Sequence, residues 1–230
     1  MNYVFEPPDV VSMPVAGRAE AFPVHRVYCV GRNYAAHARE MGADPEREPP
    51  FFFCKPADAL VALTQAGEVP YPSATRSLHH EIELVVALGA GGRNLDVSAA
   101  AAAVFGCAVG VDLTRRDLQA EAKKLGRPWD TGKAFDHSAP VSPLIALDGQ
   151  SVPARGRIWL EVNGDLRQEG DLSQMIWTVP EVVATLSTLF ELRAGDLVFT
   201  GTPAGVGALE SGDRVDGGVE GFGTLSFHIR

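Results

Sequence analysis

The chain has 230 residues, 29 acidic and 20 basic, and a formal charge of −9. That length supports a self-standing core without disulfides, and 46% apolar with 21% charged residues is an ordinary globular composition. The acidic balance argues against a nucleic-acid partner, whose phosphates need clustered Lys and Arg, and no run of about eighteen apolar residues marks a membrane span.

The opening Met1–Pro8 has neither the basic nor the apolar region of a signal peptide. Cys29, Cys54 and Cys107 stand singly in apolar runs and read as buried free thiols. Both features predict a cytoplasmic protein. Residues 1–25 read as an N-terminal β extension, with a strand at Val10–Val15, and residues 26–230 as the main domain, opening with a strand at Arg26–Val30. Asn33–Met41 predicts a short helix, capped by Asn33 and closed by Gly42. Within it His37 and Glu40 are spaced i, i+3 and share a face. A carboxylate on an imidazole orients the ring and raises its basicity, which suits a base that activates water; a surface pair is the plainer alternative.

Lys55 follows Phe51-Phe-Phe-Cys54, so its ammonium is either anchored beside an anion or snorkels to solvent. His79–Leu88 predicts a strand in which Glu81 and Glu83 share one face and Ile82 and Leu84 the other. Two carboxylates beside an apolar run call for a hard divalent cation, Mg²⁺ or Mn²⁺, unless the face is solvated. Ala99–Ala103 reads as helix, and Val104–Asp112 as a second strand whose end carries a third carboxylate, Asp112. Together the three make a facial ligand set.

A helix is expected from Thr114 through Gly126, with Thr114 and Asp117 as a capping box. It places Arg116 and Gln119 in its first turns. Lys133 follows Thr131-Gly132. Asn163-Gly164 predicts a tight hairpin between Arg157–Val162 and Leu166–Gln168. A helix after Pro180 to about Leu192 and strands at Asp196–Thr200, Asp213–Val219 and Thr224–Ile229 complete an α+β reading around a mixed sheet. Gly201-Thr-Pro-Ala-Gly-Val-Gly207 is a glycine-rich turn without dinucleotide or P-loop spacing.

Taken together, these strings resemble the fumarylacetoacetate hydrolase family. They are Val30-Gly-Arg-Asn-Tyr-Ala-Ala-His-Ala-Arg-Glu-Met41, Phe53-Cys-Lys-Pro56, His79-His-Glu-Ile-Glu-Leu84 and Gly110-Val-Asp-Leu-Thr-Arg-Arg-Asp-Leu-Gln119. Gly132-Lys-Ala-Phe135, Val162-Asn-Gly164 and Gly201-Thr-Pro203 follow in the same order. The resemblance implies a mixed β-sandwich roll, a homodimer, and Mg²⁺ or Mn²⁺ held by Glu81, Glu83 and Asp112. It implies a water-activating pair in His37 and Glu40, and contacts of Lys133 and Gln119 with substrate oxygens. Arg32, Lys55, Arg116 and Thr202 match positions lining the substrate site. Two departures stand out: Arg32-Asn33 occupies a segment that carries a further metal carboxylate in the long eukaryotic members, and Ala36 replaces an acidic residue common before the histidine.

The implied reaction is metal-dependent cleavage of a carbon–carbon bond in a small 2,4-diketo acid. Pro49–Ala59 and the short length look most like the members that split 3-fumarylpyruvate into fumarate and pyruvate in gentisate-type aromatic breakdown. The alternatives are a general acylpyruvate hydrolase, an oxaloacetate decarboxylase, or a hydroxymuconate-type isomerase or decarboxylase.

Overall fold

The computed structural model describes residues 2–40 and 48–230. In chain order the first strands are β1 (Ser12–Pro14), β2 (Ala21–Pro23), β3 (Val27–Gly31), β4 (Phe51–Lys55), β5 (Leu60–Ala62) and β6 (Gly67–Val69). Then come β7 (Leu78–His80), β8 (Ile82–Leu88), β9 (Val104–Val111), β10 (Thr114–Arg115), β11 (Ala139–Val141) and β12 (Ile145–Ala146). The last are β13 (Arg157–Val162), β14 (Asp165–Asp171), β15 (Leu197–Phe199), β16 (Gly207–Leu209), β17 (Arg214–Val219) and β18 (Thr224–Ile229). The helices are α1 (Ala35–Glu40), α2 (Val97–Ala102), α3 (Arg116–Leu125), α4 (Asp130–Lys133) and α5 (Val179–Leu189).

An eight-stranded mixed sheet runs β4-β3-β15-β8-β9-β11-β5, with β12 beside β9. A five-stranded sheet, β14-β13-β17-β18-β6, packs on one face of it. Ile82, Leu84 and Val86 on β8 meet Ile158, Leu160, Val215 and Phe227 there, in a core shared with Val182 and Leu186 of α5. The opposite face, carrying Val85, Ala87 and Phe199, is covered by Met13, Val15 and Phe22 of the N-terminal β1–β2 hairpin. Burying each Val, Leu, Ile, Phe or Met side chain here contributes about 1.5–3 kcal/mol. The α+β sandwich roll expected from the sequence is the observed architecture.

Several local expectations are corrected. The strand predicted at His79–Leu88 is two strands: β7 pairs with β10 and β16, β8 with β9 and β15, and the chain changes sheets at Glu81. The Ile82 N–H donates to the buried Gln168 side chain at 3.1 Å instead of to a ladder partner. Helix α3 starts at Arg116, not Thr114, and no capping box forms. The Thr114 hydroxyl donates to the Asp112 carbonyl, and Asp117 accepts from Thr75 Oγ1 and the Arg76 and Leu118 amides. Asn33 does not cap α1. Its amide donates to the Trp177 and Thr200 carbonyls and accepts from the Trp177 N–H, tying β3's exit to two distant segments. Met41 and Gly42 lie outside the described residues. Helix α5 ends at Leu189, three residues early, and its N-terminus has a capping box made by Thr178 and Glu181. Cys54 is exposed on edge strand β4, whereas Cys29 and Cys107 are buried. The β13–β14 turn forms as predicted, with Asn163 and Gly164 both at positive φ, 55° and 85°.

Candidate active site

The sheet change at Glu81 positions the carboxylates. Because β8 runs beside β9 with Ile82 opposite Val111, the residues at the open end of the pair meet, and the Asp112 N–H donates to the Glu81 carbonyl at 2.8 Å. Glu81, Glu83 and Asp112 each offer an oxygen within 4.8 Å of the others, and all three are buried. Burying three carboxylates together is costly unless cations answer them.

Three of the chain's own cations do. Lys133 Nζ donates to Glu81 Oε2 at 2.7 Å and to Asp112 Oδ2 at 2.6 Å, and Arg116 Nη2 donates to Glu81 Oε1 at 2.5 Å. Lys55, fully buried, places its ammonium 2.8 Å from Asp112 Oδ1 and donates to the Leu113 and Lys133 carbonyls. Burial would raise the Glu81 carboxyl, but Lys133 and Arg116 outweigh it and hold it far below the usual range. Burial, with Asp112 and Glu81 alongside, pushes Glu83 well up, against the Gly201 N–H, which donates to Glu83 Oε2 at 2.6 Å.

The donor set fits a hard divalent ion. All three ligands are carboxylate oxygens. Asp112 Oδ1 is buried without a hydrogen bond, answered only by the charge of Lys55, and Glu83 has no ion-pair partner among the described residues. Such atoms are suited to a cation.

His37 borders the same cavity from α1. Its Nδ1 lies 3.2 Å from Glu40 Oε2, which leaves Nε2 as its second nitrogen. Burial lowers the imidazole below its ordinary pKa despite the pull of Glu81 and Glu40, so the neutral, proton-accepting form prevails. Glu40 is held in turn by the Gly205 N–H, 3.1 and 3.2 Å from its two oxygens. The glycine-rich turn thus serves both halves of the site, Gly201 on Glu83 and Gly205 on Glu40. At Gly205, φ is +94°, and a Cβ would sit 2.1 Å from the Arg167 carbonyl, so no side chain fits.

Residues 26–230 match the family model for the fumarylacetoacetate (FAA) hydrolase C-terminal domain. The chain belongs to the fumarylacetoacetate hydrolase family. It is similar to the crystal structure of fumarylpyruvate hydrolase from Pseudomonas aeruginosa in complex with Mn²⁺ and pyruvate. The identity is 55%, the TM-score 0.96, and 99% of each chain is covered. It is 44% identical over 195 residues to an oxaloacetate tautomerase of Escherichia coli, covering 84% of this chain and 88% of that one. The mitochondrial oxaloacetate tautomerase of Homo sapiens is 40% identical over 203 residues, 88% and 90% of the two chains.

In this family member, the cavity is bordered by His37, Glu81, Glu83, Arg116, Gln119 and Lys133, and also by Arg32 and Thr202. The structure therefore brings to one wall ten of the eleven sequence-predicted residues either directly or, for Asp112, through its Lys133 contact, with Glu40 behind His37. Lys55 is the exception: it lies beneath Asp112, pinned by backbone carbonyls, and does not border the cavity. Gln119 Oε1 accepts from Arg116 Nη1 at 2.7 Å, which fixes the arginine fork on Glu81.

Sequence reasoning missed the aromatic wall of Phe51, Phe53 and Trp129, together with Lys123. The signals were present: Phe51 and Phe53 alternate to one face of β4, and Lys123 lies at i+7 from Arg116 on α3. It also missed Gln168, fully buried, which joins His80, Ile82 and Thr202 through its amide.

Proposed function

We propose that this chain is a metal-dependent hydrolase of a carbon–carbon bond in 2,4-diketo acids, splitting 3-fumarylpyruvate with water into fumarate and pyruvate. The observation that carries the reading is one cavity bordered by Glu81 and Glu83 of a buried carboxylate triad and by His37, which Glu40 backs. The whole-chain similarity to a fumarylpyruvate hydrolase supports the choice of acyl group.

Glu81, Glu83 and Asp112 would hold Mg²⁺ or Mn²⁺, which supplies positive charge for the oxygens of the 2-oxo acid end. His37 takes a proton from water through Nε2 while Glu40 steadies Nδ1. Water adds to the far carbonyl, the bond between that carbon and the methylene breaks, and pyruvate leaves as its enolate before taking up a proton. Lys133, already among the carboxylates, offsets negative charge developing on the attacked oxygen, an effect worth several kcal/mol in a dry site (about 3–4). Gln119 and Arg116 orient the head of the substrate, and Arg32 and Thr202 line its path; Lys55 supports Asp112 from below. A cytoplasmic location agrees with three free thiols. The homodimer, the role in gentisate-type breakdown and the reading of residues 1–25 as an extension to a catalytic domain at 26–230 complete the proposal.

The similarity to oxaloacetate tautomerases favours a second reading, keto–enol exchange of oxaloacetate, which needs the same enolate stabilisation but no attacking water. One comparison separates them: kcat/KM for fumarylpyruvate, acetylpyruvate and oxaloacetate with Mg²⁺ or Mn²⁺ under identical conditions. We expect fumarylpyruvate to lead by about a hundredfold or more. Fast oxaloacetate exchange with no acylpyruvate cleavage would replace the hydrolase reading by the second.

A further inference from the structure

Four cations border the cavity, Arg32, Arg116, Lys123 and Lys133, and they divide into two pairs. Arg116 and Lys133 are engaged by Glu81 and Asp112. The side chains of Arg32 and Lys123 make no ion pair and no hydrogen bond among the described residues; each rests on an aromatic ring instead. The Arg32 guanidinium carbon lies 5.1 Å from the centroid of Phe51, and Lys123 Nζ lies 4.9 Å from that of Trp129. Those two rings meet edge to face, 5.4 Å apart at 88°. Two cations are therefore mounted on one aromatic pair along the wall of the cavity.

Ring contact orients a cation but leaves its charge unanswered. At Lys123, burial, Arg116 and Arg32 depress the ammonium to about 8, which an arriving anion would reverse. The backbone at Arg32 is also held in the left-handed region, φ 59°, where a non-glycine residue is uncommon. In the hydrolase reading the carboxylate triad takes the oxo-acid head, so the unpaired cations are left for whatever the acyl arm carries.

We propose that Lys123, together with Arg32, forms an anion subsite that selects acylpyruvates whose acyl arm ends in a carboxylate, and that Phe51 and Trp129 receive the flat arm between the two ends. This deepens the hydrolase reading and rests on it for the orientation of the substrate. A fumaryl arm is planar, conjugated and terminally charged, which matches an aromatic wall ending in two cations. An acetyl arm reaches neither.

The test uses the full-length, Mn²⁺-loaded protein with fumarylpyruvate, its far-end methyl ester and acetylpyruvate. Lys123→Met should lower kcat/KM for fumarylpyruvate about tenfold or more, chiefly through KM. The ester and acetylpyruvate should change no more than about twofold, and Lys123→Arg should restore most of the loss. Equal losses on all three substrates, or no loss on fumarylpyruvate, would overturn the subsite. Calorimetric titration in a His37→Ala background reads the same contrast without turnover. There the free acid should bind at least about tenfold tighter than its ester, and Lys123→Met should close the gap. Equal affinity for acid and ester overturns the subsite whatever the catalytic result. A wild-type protein that cleaves no acylpyruvate yet keeps the acid–ester gap overturns the hydrolase reading and leaves the subsite standing.

Discussion

The floor of the cavity and its flank are built in different ways. The floor stands on β8 and β9, adjacent antiparallel strands in which every residue of β8 is buried, so the carboxylates at their open end inherit the rigidity of the core. The flank stands on α1, six residues long, too short to be stable alone in water. Its fixings are individual hydrogen bonds: Asn33 to Trp177 and Thr200 before it, and Gly205 to Glu40 at its end. The lesson is a division of labour. Changes on the floor should act on metal affinity and stability, and changes on the flank on turnover with the metal site intact.

That contrast can be broken most severely at the floor. Glu83→Ala should fold, yet weaken Mn²⁺ binding at least about a hundredfold and abolish activity; calorimetry and a steady-state assay read both, and undiminished Mn²⁺ affinity would remove Glu83 from the ligand set. On the flank, His37→Ala should lower kcat about 10²–10⁴-fold while Mn²⁺ affinity stays within about twofold. Hydrolysis at the wild-type rate would take His37 out of the role of base. Lys55→Met deprives buried Asp112 of a counter-ion and should cost about 3–5 kcal/mol, seen as a lower urea midpoint of the metal-free protein. Gly205→Ala forces a Cβ against the Arg167 carbonyl. The resulting strain of about 1–3 kcal/mol should displace Glu40 and lower kcat roughly tenfold; an unchanged kcat would show that Glu40 does not depend on this turn.

The mildest probe is pH. Burial depresses the His37 imidazole, so the neutral base persists below its ordinary value. The acid limb of kcat/KM should therefore lie below about pH 6.5, with activity lost as pH falls through the folded-state pKa. A limb above that value would mean that the imidazole is stabilised as a cation.

The sequence disclosed the floor readily because its signal is periodic. Glu81 and Glu83 share a face of any strand, and Asp112 ends an apolar run. The His37–Glu40 pair was visible from helical spacing alone. What escaped was set by partners distant in the chain. The break at Glu81 leaves no local mark, since both halves keep the same alternation while Gln168, 86 residues from Ile82, takes its amide. Asn33 looks like an ordinary cap, but its hydrogen bonds go to residues more than 140 positions away. Cys54 sits in an apolar run and reads as buried, yet edge strand β4 turns it outward. Lys55 was legible as an anchored ammonium, but not which side of Asp112 it occupies. Lys123 belonged to a helix face that looks solvated until Trp129, itself packed on Phe51, brings a ring against its ammonium.

Lys55, Lys133 and Arg116 number as many positive charges as the triad has carboxylates. In small metal-bound domains the ion itself holds the chain together, and removing it unfolds them. Here the ligands carry internal substitutes for the ion, so chelation should leave an intact scaffold with its carboxylates still gathered. The protein should then empty and refill without refolding, so that one preparation could be charged in turn with different divalent ions and compared on the same molecules.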